Sequence, residues 1–244
     1  MKKEPCPGGK PDVDIVVPVL NEKDSIAEFY SRVGKTGYGD CLIFVDNASS
    51  DGTAEWISAQ PSIRLIRHRR NQGYGASIRD GIAASRSGKV VIMDADLEYP
   101  PEVIPELLAT LEDHPVVYGS RFLSGSPPEM PRMRLIGNRI ISAVFNFLFR
   151  QHTTDFYTGI KGLTREAVDC LDLRRDGFEQ VVEMGAKLSH AGYTIHEIPV
   201  AYRLRSHGAS KMRHLPETLK YLWYVSIYRL GLGSRRRARS AGGI

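Results

Sequence analysis

Val90-Val91-Ile92-Met93-Asp94-Ala95-Asp96-Leu97-Glu98-Tyr99-Pro100-Pro101 decides the fold of this chain. Its four consecutive apolar residues read as a strand covered on both faces, because a half-exposed strand would alternate apolar with polar. The strand stops at two aspartates one residue apart, and the prolines that follow preset the first turn of a helix. Ligands of open α/β sheets bind at the carboxyl ends of such strands. There, one carboxylate would contact an ion while the other orients it or holds a sugar. A hard divalent cation held by one or two carboxylates and completed by substrate phosphates is the usual magnesium arrangement. Alone, the pattern is short: Asp96 would serve equally as a helix cap and Asp94 as a solvated loop residue. The surrounding chain decides between the two.

Toward the amino terminus, Val13–Leu20 is a first buried strand ending in Asn21-Glu22, followed by a helix from about Asp24 through Val33. Cys41–Val45 is a second strand, leading into the polar loop Asp46–Thr53 and a helix through Trp56 and Ile57. Ile63–Arg67 is a third, and Asn71-Gln72-Gly73-Tyr74-Gly75 opens the helix Ala76–Ser85. Strands alternating with helices imply a parallel sheet with right-handed crossovers. After Gly119 the rhythm breaks. Ser120–Met133 reads as a mobile loop, Leu135–Phe149 as a long helix, Thr154–Gly162 as a short strand or hairpin and Gly177–Ala191 as a helix. Tyr193–Val200 is a last strand, which Pro199 pushes toward a sheet edge. The fold class is therefore α/β, a Rossmann-like, mostly parallel sheet flanked by helices with a C-terminal helical elaboration. The expected organisation is a flexible start over 1–11, one globular domain over 12–212, an amphipathic helix over 213–232 and a basic disordered tail over 233–244.

Composition narrows the classes. An apolar content of 42% and a charged content of 25% suit a globular protein with a sizeable core. The net charge of +5 is modest and concentrates in Arg235–Arg239, which argues against a nucleic-acid-binding face. Cys6, Cys41 and Cys170 are odd in number and lack metal-ligand spacing, as expected in a reducing cytoplasm. Met1–Pro11 has no apolar run, so no signal peptide is expected there. No stretch reaches the roughly 18 apolar residues of a membrane span, and the chain is expected to be soluble or peripheral.

Three of the first four strands end in acidic loops, with Glu22, then Asp46 and Asp51, then Asp94 and Asp96. A parallel sheet gathers these ends on one edge. Such convergence is unfavourable unless a cation or a hydrogen-bonding ligand is present, because like charges repel.

The segments Val17–Glu22, Val45–Thr53, Asn71–Gly75 and Met93–Leu97 resemble, in order and spacing, the successive signatures of family 2 glycosyltransferases. The resemblance implies a GT-A fold, a nucleotide-diphospho-sugar donor and a divalent cation, magnesium or manganese. By similarity Pro18, Asn21, Glu22, Asp46, Asp51 and Gly73 would line the nucleotide-sugar site. Asp94 and Asp96 would hold the metal and diphosphate, with Asp96 counted as catalytic. Gly119–Phe122, Thr154–Gly159, Gly177–Glu179 and Arg205-Ser206-His207-Gly208-Ala209-Ser210-Lys211 are similar to the dolichol-phosphate mannose synthase branch. Members often carry Gln where this chain has Glu98, so an extra acid would add a metal ligand or shift donor preference.

Transfer to a sugar hydroxyl requires a general base, since an alcohol is a poor nucleophile at neutral pH. A lipid monophosphate is already anionic and needs cationic docking instead. Arg121, Arg134, Arg205 and Lys211, with Ser210 in the same motif, would supply it, and Arg holds phosphate bidentately. Arg121, Arg205 and Lys211 are counted as catalytic on that basis. The expected reaction is direct displacement by a polyprenyl or dolichyl phosphate, inverting the anomeric centre, with mannose from GDP-mannose as the leading donor. The rivals keep the fold but use UDP-glucose or a soluble acceptor. A nucleotidyltransferase would want a Gly-rich basic loop after the first strand, and a non-catalytic nucleotide- or lipid-binding module would be expected to have lost these acids. The aromatic helix carrying Trp223, Tyr224 and Tyr228 ahead of four arginines suits an anionic membrane surface, on the cytoplasmic face. The same helix would equally pack its apolar side on the domain.

Overall fold

The computed structural model describes residues 12–61, 63–203 and 214–230, with the backbone alone at 214–220 and 222. The elements in order are β1 (Val13–Val19), α1 (Lys23–Lys35), β2 (Leu42–Asp46), α2 (Thr53–Ser58), β3 (Arg64–Arg67), α3 (Tyr74–Ala84) and β4 (Lys89–Met93). Next come α4 (Ile104–Thr110), β5 (Val116–Ser120), α5 (Arg132–Phe149), β6 (Ile160–Thr164) and α6 (Arg165–Asp169). The described chain closes with α7 (Gln180–His190), β7 (His196–Pro199) and α8 (His214–Arg229).

One seven-stranded sheet carries the order β3-β2-β1-β4-β6-β5-β7. β1 pairs in parallel with β2 and β4, β2 with β3, and β5 with β7. β6 is antiparallel to both of its neighbours, β4 and β5, so the parallel expectation holds save for this inserted strand. β7 lies at the edge, where the missing N–H of Pro199 breaks no ladder. The apolar run of β4 is divided between two cores: Val91 and Met93 face one side of the sheet, Val90 and Ile92 the other. The first core is closed by Ile26, Phe29 and Val33 of α1 and by Ile104 and Leu107 of α4. The second is closed by Ile78 of α3, Ile141 and Phe145 of α5, Val182 of α7, and Tyr221, Val225 and Tyr228 of α8. A strand buried on both faces cannot alternate, which is why these strands read as continuous hydrophobic runs.

The order β3-β2-β1-β4 reverses direction at β1, so the loops leaving β1 and β4 diverge and open a crevice at the carboxyl edge. No helix among the described residues is long and apolar enough to cross a membrane. The proposed limits at 1–11 and 233–244 lie outside the described residues, as do Arg205, Ser210 and Lys211.

Candidate active site

A cavity of about 330 Å³ occupies that crevice. Pro18 and Glu22 enter it from the end of β1, Gly73 from the start of α3, and Asp94, Asp96 and Glu98 from the loop after β4. Arg121, just beyond β5, and Arg134, in the first turn of α5, complete the wall. Carboxylates and guanidinium groups far apart in sequence thus share one space.

The loops that carry these groups bend sharply. Asn21, Ala48 and Leu97, each within four residues of a strand end, have φ of 52°, 67° and 61°. Left-handed backbone is unusual for residues with a side chain and is kept where surrounding bonds enforce it. Here the first two loops are laced together. Asn21 N–H donates to Ser49 Oγ at 2.9 Å, Ser50 N–H donates to Asn21 Oδ1 at 2.8 Å, and Lys23 N–H donates to Asp51 Oδ2 at 3.0 Å. Asp51 also accepts from the Thr53 N–H and hydroxyl at 2.9 and 2.6 Å. Burial raises the Asp51 carboxyl, and these donors outweigh it to leave the group below its ordinary value. Asn21 and Asp51, expected at the nucleotide, are therefore placed as stitches between loops and are absent from the cavity wall.

Asp46 is also absent from the wall, buried at 1% exposure and accepting from the Ser49 N–H at 3.2 Å, while its neighbour Asn47 lines the cavity. Successive residues at a strand end face opposite ways, so moving one position changes which side chain meets a ligand. Asn47 is held by three partners. Its Nδ2 donates to Asn71 Oδ1 at 2.9 Å, its Oδ1 accepts from the Gln72 N–H at 2.8 Å, and the His68 ring stands 3.0 Å from the same oxygen. Sequence reading passed over Asn47 in favour of the charged Asp46.

Asp94 is fixed from two sides. The Tyr74 hydroxyl donates to its Oδ1 at 3.0 Å, and the Tyr74 ring stacks on Phe178 with centroids 5.1 Å apart. Desolvation and the neighbouring Asp94 charge push the Tyr74 phenol well above its ordinary value, so it stays a donor. Gly159 backs Asp94 closely: a Cβ there would come within 2.5 Å of Oδ2. Gly73 has φ of 98°, and a Cβ would strike the Asp176 carbonyl at 2.2 Å, so this turn admits only glycine. Tyr74 and Phe178 both lie inside motifs singled out from sequence, Asn71–Gly75 and Gly177–Glu179, without being expected as site residues.

Asp96 is 6% exposed and accepts from the Glu98 N–H at 2.9 Å. Two carboxylates one residue apart at a strand end, one of them held in orientation by a phenol, fit a hard divalent cation that substrate phosphates complete. They do not form a closed cage, and among the described residues no group of three or more His, Cys, Asp and Glu would hold a metal through protein donors alone. Glu98, expected as a third metal ligand, instead pairs with Arg134. Arg134 Nη2 lies 2.9 Å from Glu98 Oε2 and Nη1 lies 3.2 Å from Oε1, with Nη1 also donating to the Tyr202 hydroxyl at 2.9 Å. Burial disfavours the Arg134 charge, but Glu98 outweighs it and raises the group above its ordinary value.

Arg121 differs from the expectation of a phosphate clamp in a similar way. Its Nε and Nη2 donate to the two carboxylate oxygens of Asp155 at 2.6 and 2.8 Å, and Asp155 is wholly buried. Burial opposes the Arg121 charge, yet Asp155 keeps it well above its usual value. The Tyr99, Phe122 and Tyr202 rings lie 5.4–5.8 Å from the guanidinium carbon. Arg121 thus braces the wall through Asp155.

A switch-point crevice lined by paired carboxylates and a guanidinium is the arrangement expected of a GT-A architecture. The crystal structure of glucosyl-3-phosphoglycerate synthase from Mycobacterium tuberculosis in complex with Mn2+ and uridine-diphosphate-glucose superimposes with a TM-score of 0.66 at 20% identity, covering 92% of this chain and 80% of that one. The chain belongs to glycosyl transferase family 2, whose family model matches residues 14–172. The dolichol-phosphate mannosyltransferase of Pyrococcus furiosus is 27% identical over 227 residues, spanning 89% of this chain. The chain spans 63% of the length of that relative. The Saccharomyces cerevisiae dolichol-phosphate mannosyltransferase is also 27% identical, over 90% of this chain and 89% of its own.

Proposed function

We propose that this protein transfers a hexosyl group, mannose from GDP-mannose in the leading reading, from a nucleotide-diphospho-sugar to a polyprenyl phosphate with inversion of the anomeric centre. The observation that carries the reading is the single cavity that Asp94, Asp96 and Arg134 line together. The relatives named dolichol-phosphate mannosyltransferase support the choice of acceptor.

The chain's own residues divide the work. Pro18, Glu22 and Asn47 border the donor side, and the lacing of the β1 and β2 loops holds that border in place before a ligand arrives. Asp94, oriented by Tyr74, and Asp96 would hold a divalent cation, magnesium or manganese, which supplies neutralisation of charge on the departing nucleoside diphosphate. Arg134 would dock the acceptor phosphate, with Arg205, Ser210 and Lys211 of the Arg-x-x-Gly-x-Ser-Lys motif as its partners in that role. The acceptor oxygen arrives charged, so no proton need be removed, and no histidine lines the cavity among the described residues. Positioning and electrostatics carry the reaction.

The acceptor chain requires an apolar surface. On α5, Met133, Ile136, Ile140 and Phe147 recur at helical spacing and are 45–84% exposed. On α8, which packs beside α5, Trp223 is 66% exposed, as is Leu230 just past its end at 72%, while Tyr221, Val225 and Tyr228 face the core. Both expectations for the last helix therefore find support in one arrangement, with one side packed on the domain and the other presented outward. We take this two-helix face as the surface that rests on the membrane, at its cytoplasmic side, with the lipid phosphate reaching Arg134 at the first turn of α5. A soluble acceptor would leave the stripe without a role. The test is transfer of label from GDP-mannose into a butanol-extractable product with undecaprenyl or dolichyl phosphate. Transfer confined to water-soluble acceptors would overturn the reading.

A further inference from the structure

The two guanidinium groups of the cavity are held in different ways. Arg121 is bound to Asp155, which is wholly buried and lies outside the cavity wall, so removing Arg121 would strand a charge in the core. Arg134 is bound to Glu98, which lines the same cavity, and the Arg134 side chain keeps 20% of its exposure. Its third contact, Tyr202, is a neutral hydroxyl following β7, and the next residue, Arg203, donates its N–H to the Glu98 carbonyl at 3.1 Å. The Arg134 pair is thus exchangeable where the Arg121 pair is not.

We propose that Glu98 and Tyr202 are positioning residues that hold Arg134 in reserve, and that Arg134 passes from the Glu98 carboxylate to a substrate phosphate group when one enters the cavity. The inference rests on the reading that this cavity takes phosphate-bearing substrates. Guanidinium binds carboxylate and phosphate with the same two-pronged geometry, so one partner replaces the other without rebuilding the donor. On release, Glu98 turns to the space it shares with Asp94 and Asp96, which reconciles its place beside the metal set in sequence with its pairing in the structure. Phosphate and Glu98 then compete for Arg134, and reciprocity requires that weakening the Glu98 contact strengthens phosphate binding. The phosphate belongs either to the donor diphosphate or to the acceptor monophosphate.

The test is calorimetric titration in EDTA, with GDP in one arm and geranyl phosphate in the other, so that neither metal nor turnover contributes. Glu98→Gln keeps the shape of the side chain and should bind the ligand of one arm about tenfold more tightly than the unchanged protein, the scale of an ordinary coupling between two sites. The arm that gains identifies the source of the phosphate. Loss of a negative charge would also favour an anion, so the deciding comparison is the double variant Glu98→Gln/Arg134→Gln, in which the gain should vanish. Tyr202→Phe changes no charge and should give a smaller gain of the same sign. The proposal is overturned if neither Glu98→Gln nor Tyr202→Phe gains in either arm, or if the gain survives in the double variant. Should Glu98→Gln fail to fold, Tyr202→Phe decides alone, and no gain there overturns it. If the unchanged protein binds GDP with Mn2+ while the variants show no gain, the reserve role fails and the glycosyltransferase reading stands. If GDP and geranyl phosphate bind nothing with or without Mn2+, both fail.

Discussion

The Tyr74 hydroxyl helps orient Asp94 by donating to its Oδ1. Tyr74→Phe keeps the ring stacked on Phe178 and deletes only the donor to Oδ1. A hydrogen bond to a charged group contributes about 1.5–3 kcal/mol, so the variant is expected to lower the melting temperature by a few degrees and to weaken Mn2+–GDP binding roughly tenfold by calorimetry. An unchanged affinity would remove Tyr74 from the site. Arg121 gives the opposite pattern. Breaking its pair by Asp155→Asn is expected to destabilise the fold by about 3–5 kcal/mol in urea, because a buried guanidinium loses its counter-charge. The double variant Arg121→Met/Asp155→Leu should recover much of that loss, since it leaves neither charge behind. No recovery would mean that the pair contributes more than mutual neutralisation. Both residues lie in stretches that the sequence singles out, yet their roles turn on partners that sequence does not place. Asp155 stands 34 positions from Arg121, and Tyr74 stands 20 positions from Asp94.

At the scale of elements, what was legible is what periodicity encodes. The strand ending at Asp94 announced itself because burial on both faces forbids alternation, and its place at the switch point followed from the βα rhythm before it. β6 was not legible as antiparallel, because Ile160–Thr164 is too short to carry a direction and its pairing with β4 is set by distant residues. Acids on the sheet also sort by edge. Asp14 lies near the amino-terminal end of β1, where the Arg64 guanidinium pairs with it, the Ser85 hydroxyl donates to its Oδ2 at 2.8 Å and the Arg86 N–H donates at 3.0 Å. Burial alone would raise its carboxyl, but these donors outweigh it and hold the group below its ordinary value of 3.8. A group depressed on folding stabilises the protein above its unfolded value and loses that contribution as pH falls through the folded one. Asp14→Asn is therefore expected to lower urea stability at pH 7, with the difference from the unchanged protein shrinking below about pH 4. A difference independent of pH would contradict the assignment. At the other edge Asp46 and Asp51 are likewise taken up by structural donors, whereas Glu22, Asp94, Asp96 and Glu98 line the cavity.

The whole molecule joins two surfaces, an acidic crevice at the carboxyl edge and an apolar face on α5 and α8, and Arg134 sits where α5 leaves the crevice. If that face rests on lipid, replacing Phe147 and Trp223 by Ser should reduce co-sedimentation with vesicles containing phosphatidylglycerol several-fold, since each large side chain contributes about 1.5–3 kcal/mol on leaving water. The melting temperature should not fall, because both side chains are already exposed. Equal sedimentation of variant and unchanged protein would separate the apolar face from the membrane. The outward stripe on α5 was only half legible: apolar residues fall on more than one side of this helix in sequence, and only packing against the second core shows which of them are left over. The measurement that bears most directly on the central claim is transfer of label from GDP-mannose, UDP-glucose and related donors with magnesium or manganese, with and without a polyprenyl phosphate. The account predicts that one donor labels the organic phase only when the lipid phosphate is present, that EDTA abolishes it, and that Asp96→Ala removes it from a folded protein. Undiminished transfer by Asp96→Ala, or label appearing only in water-soluble products, would contradict it.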